Sequence, residues 1–244
     1  MQKVCLIIPC FNEEKRLNVK VLCDFIQQNK EVTLCFVNDG SKDGTLDILN
    51  SIKNKFEHVM VIHSDKNLGK AEAVRNGVLH VSKLNLFEFI GYWDADISTP
   101  LEEYKHLLDV FSKDKNILFV LGSRMKRLGS AINRKKMRHI TGRIFSTFSS
   151  IILRLPVYDS QCGAKIFRSE MSDIFFKERF ITKWLFDVEL LARLRNNIGD
   201  KKILNACYEV PLNSWNEKGG SKLRFAHLIK VPYDLLKIHF YYNK

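Results

Sequence analysis

Short runs of β-branched and aromatic residues alternate with stretches of helical apolar spacing through the first half of the chain. That alternation describes βαβ units built on a mostly parallel sheet. Residues 4–9, 32–37, 59–63, 87–93 and 117–121 read as strands. Residues 14–28, 45–55, 71–83 and 101–111 carry the helical period, and Pro100 sits where a first helical turn tolerates proline. Four crossovers thus join five strands, and the fold class is α/β. Ligands of such sheets collect at the carboxyl ends of the strands. Those ends here carry Phe11-Asn12-Glu13, Asn38-Asp39-Gly40, Asn67-Leu68-Gly69-Lys70, Asp94-Ala95-Asp96 and Gly122-Ser123-Arg124, so the polar chemistry lies along one edge.

Beyond Ser123 the pattern changes. No Asp or Glu occurs between Asp114 and Asp159, whereas Arg124, Lys126, Arg127, Arg134, Lys135, Lys136, Arg138 and Arg143 all do. Ile140, Ile144, Phe145, Phe148, Ile151, Ile152 and Leu155 follow at helical spacing. Cations beside an apolar stripe describe a helix lying in a membrane interface, and ordinary core packing of the same stripe is the alternative. Residues 222–244 repeat the theme, with Pro232 expected to kink or split the helix. No linker or repeat marks a second domain. The expectation is one domain over 1–221, with a nucleotide-sugar half (1–123) and an acceptor half (124–221), followed by an amphipathic basic tail.

Composition narrows the function. The 244 residues are 45% hydrophobic, enough for a full core, and the formal net charge of +12 calls for an anionic partner. The longest uncharged run, 144–153, is far short of the roughly 20 residues of a spanning helix, and residues 1–9 lack a signal-type cleavage site. A cytoplasmic protein, at most peripheral to a membrane, is expected. Six scattered cysteines with no Cys-x-x-Cys pair read as reduced, buried thiols.

Asp94 and Asp96 follow an apolar strand, whose alternation would turn both carboxylates to one face, where hard oxygens hold Mg²⁺ or Mn²⁺. A solvated turn is the bland alternative. Residues 38–45 join a strand to a helix through two glycines, with Asp39 placed to reach a base or ribose, or with Asp43 or Thr45 merely capping the helix. Residues 67–70 open a helix, so their amides and Lys70 face phosphate or form a surface turn.

Taken in order, Ile8-Pro9-Cys10-Phe11-Asn12-Glu13-Glu14, residues 37–45, 67–70, Asp94-Ala95-Asp96 and Gly122-Ser123-Arg124 resemble the family 2 glycosyltransferases of GT-A fold. Residues 159–167, 184–191 and 209–212, with Trp215 and 219–223, narrow the resemblance to the dolichyl-phosphate β-glucosyltransferases. The resemblance implies that Pro9, Phe11, Glu13 and Asp39 line a nucleoside pocket and that Asp94, Asp96 and Ser98 serve the metal. Arg124 and Arg138 would meet phosphate, Lys70 and Lys222 would join the substrate contacts, and Asp159 or Asp187 would orient the acceptor or an arginine. Where the family often has two acids, this chain has Asn38-Asp39, and the membrane-spanning segment of eukaryotic relatives is missing. The implied reaction is inverting transfer of a hexose, glucose from UDP-glucose first and mannose from GDP-mannose as the rival, to a polyprenyl phosphate at the cytoplasmic face of an anionic membrane. A sugar-1-phosphate nucleotidyltransferase would want a Gly-rich loop where Cys10-Phe11-Asn12-Glu13 stands. A nucleic-acid-binding protein would explain the charge and leave the two edge aspartates unexplained, so no nucleic-acid partner is expected.

Overall fold

The computed structural model describes residues 3–218 and 225–242, and only the backbone of 136–139 and 225–229. The first half runs β1 (Val4–Cys10), α1 (Val19–Gln28), β2 (Val32–Asp39), α2 (Thr45–Lys53), β3 (Val59–Ser64), α3 (Lys70–Ser82) and β4 (Phe89–Trp93). A 3₁₀ turn, Leu101–Glu103, leads into α4 (Tyr104–Lys113), then β5 (Phe119–Ser123), β6 (Ala131–Asn133) and α5 (Lys136–Leu153). The remainder is β7 (Ala164–Arg168), α6 (Ser172–Phe176), α7 (Phe186–Ile198), α8 (Asp200–Ala206), β8 (Cys207–Pro211), β9 (Ser214–Asn216) and α9 (Phe225–Tyr242).

Two helices depart from the sequence pattern. α1 starts at Val19 rather than at residue 14, because Asn18 accepts the Val21 amide at 3.2 Å as an N-cap. Upstream, the Arg16 and Leu17 amides both turn back to the Glu13 carbonyl at 2.8 Å. α9 is not split at Pro232; it runs on through the missing amide, held by packing against α5 and α7.

Met1–Ile97 and Gly163–Arg179 form one compact unit. Its strands lie in the order β3-β2-β1-β4-β7. The first four are parallel, and β7 runs antiparallel to β4, with Trp93 opposite Ala164 and Phe89 opposite Arg168. β1 is sealed from water, Val4 to Ile8 being fully buried. α3 lies across β1 and β2, and α6 packs on α3. Phe167 meets Phe175 and Phe176 at ring separations of 5.3 and 5.6 Å.

Ser98–Cys162 and Phe180–Lys244 form the other unit. There β5 pairs in parallel with β8, and β6 with β9. α4 covers β5 and β8, while α7 is buried over most of its length among α5, α8 and α9. On α7, the fully buried Glu189 accepts from the amides of Ile181 and Thr182 and from the Thr182 hydroxyl at 2.6–3.0 Å. Tyr242, in the last turn of α9, donates to Glu189 at 3.3 Å and accepts from Arg193 Nε at 3.0 Å, which pins that helix to α7.

Candidate active site

Asp94 and Asp96 do not continue the strand. β4 ends at Trp93, and the chain turns so that the Ile97 amide donates to the Asp94 carbonyl at 3.0 Å. Strand alternation is therefore not what presents the two carboxylates; a turn is. The turn carries strain, since Ile97 has φ of 49°, a region that costs a β-branched residue about 1–3 kcal/mol. The Asp94 side chain is 41% exposed and that of Asp96 24%, so both reach solvent.

Each carboxylate has a cation beside it. Lys70 Nζ, at the start of α3, lies 2.5 Å from Asp94 Oδ1. Arg16 lies 3.4 Å from Asp96 Oδ2 and 3.4 Å from Glu13 Oε2. Arg16 escaped the sequence reading, although a cation three residues beyond an edge glutamate was a usable signal. So did the role of Gly163. Its carbonyl accepts the Asp94 amide at 3.0 Å, and a Cβ added there would collide with the Asp94 carboxylate. A side chain at 163 would therefore displace the Asp94 carboxylate.

Among the described residues no three His, Cys, Asp or Glu side chains gather as a complete metal cluster. Two accessible carboxylates nonetheless fit Mg²⁺ or Mn²⁺, which bind through one or two carboxylates and take the remaining oxygens from substrate phosphates and water. Ser98 lies in the second unit, buried, with its carbonyl accepting the Asn216 amide at 2.9 Å.

Around the aspartates the loops are tied side chain to backbone. Asp39, ending β2, accepts the Leu68 amide on one oxygen and the Gly69 amide on the other, both at 2.8 Å. It thereby fixes the loop that delivers Lys70, with Gly69 at φ of 93° making the bend. Asp43 lies one residue before the Gly44 N-cap of α2 and accepts from the Thr45 amide at 3.1 Å and hydroxyl at 2.5 Å. Desolvation opposes its ionisation, but the bonds from Thr45 and from the Glu14 amide together outweigh it and lower the carboxyl's pKa. Thr45 Oγ1 in turn accepts the amide of the buried Glu13 at 2.8 Å. Asn12, at φ of 48°, donates its amide to Ser41 Oγ and accepts the Lys42 amide, joining the loops after β1 and β2. Pro9 is the penultimate residue of β1, in register with Val37, and the partly buried Phe11 lies just past that strand.

Arg124, Arg127 and Arg143 belong to the second unit. Arg124 directly follows β5, and Asp159 grips it with both oxygens: Oδ2 accepts its backbone amide at 3.0 Å and Nε at 2.7 Å, and Oδ1 accepts Nη2 at 2.7 Å. Burial raises the cost of charge on Asp159, yet Arg124 more than offsets it and holds the carboxyl below its usual range. Asp159 is thus an ionised clamp. The Trp215 ring lies 5.6 Å from the Arg124 guanidinium. Arg143, on α5, stacks 3.7 Å from the Tyr158 ring and donates to the Tyr158 carbonyl at 3.0 Å. Arg127 is taken up by Asn213 at 2.9 Å. Glu209, unassigned by the sequence reading, accepts the amides of Tyr158 and Asp159. Asp187 is buried in the first turn of α7. The side chain of Arg138 and the whole of Lys222 lie outside the described residues.

The profile for glycosyl transferase family 2 matches residues 5–175. A dolichyl-phosphate beta-glucosyltransferase of Trichomonas vaginalis is 32% identical over 252 residues, covering 97% of this chain and 71% of its own. The dolichyl-phosphate beta-glucosyltransferase of Saccharomyces cerevisiae is 30% identical, covering 97% and 74%. Among solved structures, glucosyl-3-phosphoglycerate synthase from Mycobacterium tuberculosis, in complex with Mn²⁺, UDP-glucose and glycerol 3-phosphate, superposes with a TM-score of 0.69 at 15% identity, over 99% of this chain and 80% of that one. At that identity the likeness is one of fold, an α/β sheet of GT-A type.

Proposed function

The chain belongs to glycosyl transferase family 2, and from that premise we propose that it transfers glucose from UDP-glucose to a polyprenyl phosphate, with inversion, at the cytoplasmic face of a membrane. The observation that carries this reading is the 94–97 turn, which presents two carboxylates, Asp94 beside Lys70 and Asp96 beside Arg16, at the carboxyl edge of parallel strands. The dolichyl-phosphate glucosyltransferases that align along nearly the whole chain support the choice of acceptor.

In this reaction an acceptor phosphate oxygen attacks the anomeric carbon opposite the diphosphate. The new C–O bond forms as the bond to UDP breaks, and UDP leaves with the electron pair. A phosphate monoester has its second pKa near about 6, so the nucleophile is already ionised at neutral pH and needs no general base. The clamping of Asp159 onto Arg124 suits that chemistry: the carboxylate orients a phosphate-binding guanidinium and removes no proton. A divalent metal held by Asp94 and Asp96 would neutralise charge growing on the departing diphosphate. Lys70 supplies a cation at the same place, and the loop tied by Asp39 fixes where it stands.

Incubation with labelled UDP-glucose, UDP-galactose or GDP-mannose plus polyprenyl phosphate, followed by lipid extraction, tests the proposal. Label should enter the lipid from UDP-glucose, and Asp96→Asn or EDTA should nearly abolish it while thermal melting is kept. Label arriving only from GDP-mannose would replace the donor, and activity untouched by both treatments would remove the metal.

A further inference from the structure

We infer that Glu209 is a positioning residue that sets the orientation of Arg124 and Arg143 through the backbone of Tyr158 and Asp159. The inference rests on the reading of Arg124 as a phosphate-binding group. It concerns what holds that group in place.

Glu209 lies in β8, in register with Leu121 of β5, two strand positions before the strand end from which Arg124 emerges. Its two carboxylate oxygens each take one of two consecutive amides: Oε2 accepts Tyr158 N at 2.7 Å and Oε1 accepts Asp159 N at 2.5 Å. The two residues so fixed each control an arginine. Asp159 binds Arg124 through three hydrogen bonds, and Tyr158 holds Arg143 with its carbonyl and its ring. One carboxylate therefore sets two guanidinium planes. A guanidinium recognises phosphate through a rigid fork, so a small rotation of the segment misdirects both cations even if neither leaves its partner.

The surroundings make the carboxylate hard to replace. Glu209 borders a cavity of about 90 Å³ lined by Leu121, Leu155, Val157 and Leu191, and burial there pushes its pKa up. A side chain whose only task was to fill that space would be apolar. Glutamine is nearly the same shape, but one end of its amide is a donor, which would face one of the two N–H groups and leave it unpaired.

A double-mutant cycle with Glu209→Gln and Arg124→Lys tests the inference, using transfer from UDP-glucose to a short-chain prenyl phosphate. Glu209→Gln should lower kcat/KM for the prenyl phosphate about tenfold or more, with the KM for UDP-glucose within about twofold of wild type. The double variant should lose less than the product of the two single losses, because the part of the Glu209 effect that runs through Arg124 is already gone in Arg124→Lys while the part through Arg143 remains. Losses that multiply, or no loss from Glu209→Gln, would overturn the inference while leaving Arg124 in its role. An Arg124→Lys variant with wild-type efficiency would instead sink the phosphate reading. The NMR resonance of Arg124 Nε–H then decides the inference without reference to activity: it should shift in Glu209→Gln, and an unchanged resonance overturns the positioning role. Should Glu209→Gln fail to melt cooperatively, Glu209→Asp, which keeps the charge and shortens the reach, takes its place in both measurements with the same expected losses and shift.

Discussion

Gly163 shows how a residue with no functional group governs one that has it. Its backbone φ is unexceptional for any residue, so the demand is for space alone: a Cβ would overlap one Asp94 oxygen and the carboxyl carbon. Asp94 is partly exposed and can rotate away, whereas β7 behind Gly163 is locked by its ladder to β4. Gly163→Ala should therefore leave melting within a few degrees of wild type and move Asp94 off its position. Manganese affinity in the presence of UDP, read by titration calorimetry, should fall about tenfold, the usual result of disturbing a metal ligand's support. Unchanged affinity with a lowered melting point would make Gly163 a packing residue only. Gln161 and Cys162, next to Gly163 in the sequence, give no hint of this, because the clash depends on a strand pairing that joins residues far apart in the chain.

At the level of elements, α5 and α9 show how much of each apolar stripe the core leaves uncovered. Ile140, Ile144, Phe148 and Ile151 of α5 are each more than half exposed, and the buried positions of its inner face include Ser146, Ser149 and Leu153. On α9, Tyr233, Leu236, Phe240 and Tyr241 are exposed to a similar degree. The two helices pack together, and no helix among the described residues is long and apolar enough to cross a membrane. Replacing both Phe148 and Phe240 with Ser should leave the melting point unchanged and markedly reduce flotation with anionic vesicles. High salt should release a further part, because each nearby cation contributes about 1 kcal/mol and the Debye length shrinks from about 10 Å at 0.1 M to about 3 Å at 1 M. A double variant that floats as well as wild type would return these faces to some other role. The parallel elements were legible because each βαβ unit writes its own periodicity, which put Asp39, Lys70, Asp94 and Asp96 near strand ends; that a turn, and not strand alternation, presents Asp94 and Asp96 was not legible. β7 was not legible as a strand inserted beside β4, since Ala164-Lys165-Ile166-Phe167 carries no mark of its distant partner. Nor was the Asp39 clasp on residues 68 and 69, which joins side chain to backbone across two loops.

For the molecule as a whole, the order of the chain matters as much as its composition. The chain leaves the first compact unit after Ile97 and re-enters it at Gly163 to supply β7 and α6. A fragment ending at Ile97 would lack the strand that covers one edge of β4 and the phenylalanine cluster of Phe167, Phe175 and Phe176. Such a fragment should give no cooperative thermal transition, whereas adding residues 163–179 through a short linker should restore one; a cooperative melt of the fragment alone would show that β7 is dispensable. The same threading bears on synthesis. Ribosomes add about 5–20 residues per second, so the β4 edge emerges and waits for several seconds before Ile166 and Phe167 arrive to pair with it. During that interval a nascent chain displays an apolar strand with one edge unpaired, the kind of surface that recruits chaperones and seeds aggregation.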